Sequence, residues 1–146
     1  MFKKHYIFLL TFRVLIILFI VNVYSCRENI ITNGSSIGNI NEPVKSKNPE
    51  SYSFEINASK ITFNETDETQ LNITNADIQI SVTGYSSGIV SVTIIGDNLL
   101  DLYTNTFTNN GSSPPAKITN HIPEKVKVEL LNFSGKFKIR IIRSIL

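Results

Sequence analysis

The sequence predicts an all-β fold: a small antiparallel β-sandwich, Ig-like or jelly-roll-like, of about seven or eight strands after an N-terminal signal segment. Three observations predict it. From Ser51 onward, apolar and polar residues alternate with a period of two. Turn residues punctuate the runs, and no segment after Cys26 sustains a helical period. Period two puts one face of a strand on a core and the other in water.

The elements follow in order. Tyr52, Phe54 and Ile56 alternate with Ser53 and Glu55, and Ile61 and Phe63 flank Thr62. Leu71 and Ile73 flank Asn72, and Ile78, Ile80 and Val82 alternate with Gln79 and Ser81. Val90, Val92 and Ile94 form a further run, as do Val126, Val128 and Leu130, and Phe137, Ile139 and Ile141. A less regular strand is expected near Leu99–Phe107. Asn75-Ala76-Asp77, Ser86-Ser87-Gly88, Gly96-Asp97-Asn98 and Asn109–Pro115 supply turn chemistry between them. The chain also echoes itself: Ser87–Ile95 aligns without gaps on Ser134–Ile142. Each copy reads as a hairpin of strand, Ser-Gly turn and strand, its glycine taking a positive φ.

The first 25 residues read as an export signal. Lys3 and Lys4 precede an apolar core over Val14–Val23, interrupted only by Asn22. Such a core spans about 15 Å as helix, half of a bilayer's roughly 30 Å. Extending it back to Tyr6 would bury Arg13, at roughly 2.5–3.5 kcal/mol. The segment ends Val23-Tyr24-Ser25-Cys26, which resembles the lipobox of bacterial lipoproteins in Val23, Ser25 and Cys26 and departs from it in Tyr24. The resemblance implies cleavage before Cys26, a thioether lipid on its sulfur, and anchoring of the chain to a membrane on the extracytoplasmic side of the cell envelope. Cleavage at the same bond by a general signal peptidase would give a secreted protein instead. Residues 27–50 are rich in Asn, Ser, Gly, Pro and Lys without a sustained period, so 26–50 reads as a flexible tether and 51–146 as the domain.

Charge and cysteine usage narrow the function. The whole chain carries +2, yet Lys3, Lys4 and Arg13 belong to the signal, leaving eleven basic against twelve acidic residues. A near-neutral domain gives no footprint for nucleic acid. With one cysteine, Cys26, a disulfide scaffold is excluded. Residues 50–101 hold eight carboxylates against Lys60, while 117–146 hold seven cations against Glu124 and Glu129. On the last expected hairpin, Lys125, Lys127, Lys136, Lys138 and Arg140 fall on one wet face. Such a stripe either meets an anionic polymer, lipid or protein, or simply keeps the face solvated. Two acidic clusters stand in expected turns: Asn64, Glu65, Asp67 and Glu68, and the better calcium candidate Asp97, Asn98 and Asp101. Neither has EF-hand spacing. His121 stands in a loop with no nucleophile marked beside it, and no cofactor motif occurs. Six Asn-x-Ser/Thr sequons would matter in a secreted eukaryotic glycoprotein. The sequence therefore predicts a non-catalytic envelope or surface lipoprotein, a binding or structural module. A secreted or surface hydrolase with an unrecognised site and a secreted eukaryotic glycoprotein domain are the alternatives.

Overall fold

The computed structural model describes residues 39–145. The signal segment, Cys26 and the front of the tether lie outside the described residues. Seven strands follow one another: β1 (Val44–Asn48), β2 (Ser51–Glu68), β3 (Asn75–Gly96), β4 (Asp101–Phe107), β5 (Gly111–Ser112), β6 (Ala116–Thr119) and β7 (Pro123–Arg143). All pairings are antiparallel, in the order β1-β2-β7-β3-β4, with β5 and β6 also paired to β3.

Three of these strands are long, and all three bend sharply. Tyr52 and Asp67 are fifteen residues apart on β2, a separation of about 50 Å in a straight strand, yet the Tyr52 hydroxyl donates to Asp67 Oδ2 at 3.1 Å. Likewise the Phe54 and Phe63 rings lie 6.2 Å apart on that same strand. The pairing slips at three matching places: Ala58 to Phe63 on β2, Thr83 to Ile89 on β3, and their partners Leu131 to Lys136 on β7. The sheet is folded double there. One layer holds β1, residues 51–58, 134–143 and 75–83, then β5 and β6. The other holds 61–68, 123–131, 87–96 and β4. The result is the all-β sandwich that alternation predicts.

The core lies between the layers. The alternating residues of β2, β3 and β7 fill it, with Phe54, Ile139 and Ile80 cross-strand neighbours in one layer and Val92 and Val128 in the other. Each such side chain contributes roughly 1.5–3 kcal/mol by leaving water. Ring pairs Phe54–Phe137 and Tyr85–Phe133, with centroids 6.2 and 6.3 Å apart, fill the wider spaces.

The two Ser-Gly echoes are corners, not hairpin turns. Residues 75–83 and 89–96 do not pair with each other; both pair with β7, and Ser87 sits opposite Ser134. The echo marks two antiparallel strands bending at the same point. Gly88 has φ +89°, and a Cβ there would sit 2.4 Å from the Asn132 carbonyl oxygen. Only glycine permits that approach. Leu71 and Ile73 are not strand either. They are buried in the β2–β3 connection, beside Thr69, whose hydroxyl donates to the Pro123 carbonyl.

The tether boundary also shifts. Val44–Asn48, placed in the tether by composition, is the edge strand β1. It has no apolar alternation because its inward positions are Lys45 and Lys47. These reach Glu65 and Asp67, where β2 has run out of apolar inward residues. Lys47 Nζ lies 2.7 Å from Asp67 Oδ1, Lys45 bonds Glu65, and the Lys45 ammonium stands 5.9 Å from the centre of the Phe54 ring. Burial, then the charges of Asp67 and Glu65, push the Tyr52 phenol well above its ordinary range. An ion cluster thus closes this seam of the sandwich. Glu65 and Asp67, half of the first acidic cluster, have lysines as their counter-ions.

Candidate functional site

The bend divides the predicted basic stripe. Lys136, Lys138 and Arg140 lie on the outer face of the first layer, and Lys125 and Lys127 on that of the second, because Val126 and Val128 point into the core from one layer as Ile139 and Ile141 do from the other. The five residues do not share a face. Part of the charge asymmetry along the chain is met within the sheet, since β7 pairs with β2, which carries Glu55. Lys136 and Lys138 hold Glu55 at 2.7 and 3.2 Å, Lys127 meets Glu129 at 3.0 Å, and Arg143 meets Glu50 at 3.2 Å. Partial burial works to raise the Glu55 carboxyl, but hydrogen bonds from Lys136 and Lys138 and then their charges outweigh it, so it titrates below the ordinary carboxylate range.

Arg140 is different. It is exposed and forms no ion pair among the described residues, and its cross-strand neighbours are neutral: Ser53 on β2 and Gln79 on β3. Beside it lies a groove of about 620 Å³. Gln79 and Ser81 of β3 with Lys138 and Arg140 of β7 give its floor. The wall is the connection from β5 to β6. Ser112 pairs with Ser81, the Ser113 amide donates to the Ile80 carbonyl at 3.0 Å, and Ala116 pairs with Ile78. Pro114 and Pro115 between them have no amide hydrogen to give β3, so the connection leaves the sheet edge at that point. Lys117 closes the groove, 3.8 Å from Asp77. Three cations and one carboxylate line it, with serine hydroxyls, the Gln79 amide and the Pro115 ring. Such a surface offers positive charge and hydrogen-bond partners, and no aromatic ring is among its lining residues.

The remaining candidates go elsewhere. Asp97, Asn98 and Asp101 surround the β3–β4 turn, where Asn98 accepts from the Leu100 amide at 3.2 Å and Asp97 lies 3.6 Å from His121 Nδ1. Among the described residues, no three His, Cys, Asp or Glu side chains are grouped to hold a metal ion. Lys125 lines a smaller hollow of about 310 Å³ with Glu68, Gln70 and Glu124. Sequence reasoning missed Gln79, Ser81, Ser112, Ser113 and Lys117. The one signal for them was Pro114-Pro115 ahead of a short strand.

No family model matches the chain. No curated protein matches it either. Among solved structures it is similar to a chain from Bacillus endospore appendages, described as a novel family of disulfide-linked pili. The identity is 9% and the TM-score 0.43, over 70% of this chain and 92% of that one. It is also similar to the capsular polysaccharide assembling protein CapF from Staphylococcus aureus, at 10% identity and TM-score 0.29 over 72% of this chain. There it spans only 29% of the other protein's length. TM-scores this low do not establish a shared fold.

Proposed function

We propose that this chain is a non-catalytic surface module of the cell envelope, a β-sandwich tethered through lipid on Cys26 that binds through the groove on its first layer. The groove carries the reading. It presents cations, hydroxyls and an amide on a floor of two paired strands, β3 and β7, while His121 is not among its lining residues and faces Asp97 instead. Ligand recognition needs no more than that, and the groove's one carboxylate, Asp77, is already engaged by Lys117 at 3.8 Å and the Ser144 hydroxyl at 3.2 Å.

Anchoring is tested by metabolic labelling of a bacterial host with a fatty-acid probe. The wild type takes up label and partitions with membranes, and Cys26→Ala does neither; equal labelling of the two would remove the anchor. Catalysis is tested separately with a panel of hydrolase substrates. Turnover lost in His121→Ala would replace the binding module with an enzyme.

A further inference from the structure

Resting on the reading of the groove as a binding site, we infer that its ligand is an acidic saccharide carrying a carboxylate on the sugar ring, with Arg140 holding the carboxylate. Four observations converge on this. First, Arg140 is the groove's one cation without a protein carboxylate within ion-pair distance among the described residues: Lys138 has Glu55 at 3.2 Å and Lys117 has Asp77 at 3.8 Å. Guanidinium is a planar fork that matches the two oxygens of a carboxylate, so its specificity lies in geometry as well as charge.

Second, Gln79 stands directly across the ladder from Arg140, and Ser81 directly across from Lys138, with Ser112 beyond it. An amide and two hydroxyls in consecutive rows beside a guanidinium can donate and accept together, which is what ring hydroxyls next to a carboxylate require. Third, Pro115 gives the wall an apolar ring surface, suited to the C–H face of a sugar, while Ala116, paired with core-facing Ile78, turns its methyl to the core. Fourth, about 620 Å³ lies within the range of small-molecule sites, roughly 300–1,000 Å³, and suits one or two sugar units of a longer chain. The groove is open and has no aromatic ring, so each unit binds weakly, and tight attachment comes from repeated engagement along a polymer.

Isothermal titration of the full chain in detergent solution distinguishes the sources of negative charge. Tetragalacturonate is the probe, maltotetraose the neutral control, and polyglycerol phosphate the phosphate-bearing control. The inference expects tetragalacturonate to bind, maltotetraose not to bind, and Arg140→Ala to weaken binding by about 10- to 100-fold, the loss of a hydrogen bond to a charged group. Arg140→Lys recovers only part of it, because an ammonium lacks the fork. Gln79→Ala weakens it as well. Lys127→Ala, on the opposite outer face, changes affinity by less than about twofold. Absence of tetragalacturonate binding, or equal binding by Arg140→Ala with an unchanged melt, overturns the assignment. Phosphate polymer bound as tightly as tetragalacturonate and insensitive to Arg140→Lys overturns the carboxylate specificity. Labelling at Cys26 does not involve the groove, so the surface-module reading stands or falls separately.

Discussion

Asp67→Ala is the most informative single perturbation of the fold. Asp67 Oδ2 accepts from the hydroxyl of buried Tyr52 at 3.1 Å, and its Oδ1 holds Lys47 at 2.7 Å and Lys45 at 3.7 Å. Truncation leaves the Tyr52 hydroxyl without an acceptor, at about 1–3 kcal/mol for a buried unsatisfied donor. Loss of the two lysine contacts adds up to about 1 kcal/mol, discounted because the lysine ends reach solvent. The expected loss is therefore about 1–4 kcal/mol, or a fall in Tm of roughly 5–25 °C for a domain of this size. Urea denaturation measures it, and a double-mutant cycle with Tyr52→Phe identifies its source. In the Tyr52→Phe background the stranded hydroxyl is gone, so Asp67→Ala should cost only about 1 kcal/mol there. A loss below about 0.5 kcal/mol in the wild-type background, or strictly additive effects, would mean that Tyr52 and Asp67 do not meet and that β2 is not folded back on itself.

Three further outcomes follow from the same geometry. Ile139→Ala, in the core between Phe54 and Ile80, should cost about 2–5 kcal/mol in denaturant titration, while exposed Lys138→Ala costs no more than about 0.5 kcal/mol; the reverse ranking would mean the strand register is off by one residue. Gly88→Ala should prevent stable folding at 37 °C or lower Tm sharply, because backbone lies 2.4 Å from the new Cβ, whereas Gly84→Ala, with φ +59° and nothing within 4 Å, costs only about 1 kcal/mol. Glu55 titrates low in the folded state, so its contribution is present above the ordinary carboxylate pKa of about 4.3 and is lost as pH falls through the folded value; Glu55→Gln should flatten that acid limb of a stability–pH curve, and an unchanged limb would assign acid sensitivity elsewhere.

Alternation made the core legible. All of Tyr52, Phe54, Ile56, Ile78, Ile80, Val82, Val90, Val92, Ile94, Val126, Val128, Leu130, Phe137, Ile139 and Ile141 are buried as the period requires. What alternation cannot convey is connectivity. A period of two looks the same whether the interruption at Ser87-Gly88 is a reversal or a corner, because glycine serves both. That one ambiguity carried the basic residues onto a single face, since a reversal would have kept Lys125 and Lys138 together. β1 escaped notice for a different reason: its inward positions are lysines whose stems pack and whose charges are met only by residues of β2 close in space. The groove escaped because its residues come from β3, β7 and the β5–β6 connection, a grouping that exists only once the sheet is assembled.

The place of β7 in the sheet has a consequence for how the chain folds. β2 pairs only with β1 and β7, and β3 meets β2's side of both layers only through β7. Until Pro123–Arg143 is available, the preceding residues form two separate sets of hairpins that share no ladder and leave their apolar faces uncovered. Loop closure between Ser51 and Ile142 must be met before those contacts stabilise anything, so folding is slow and all-or-none. A chain that ends before Pro123 lacks the one strand that joins the two sets. The sheet order itself makes the last long strand the one that completes the fold.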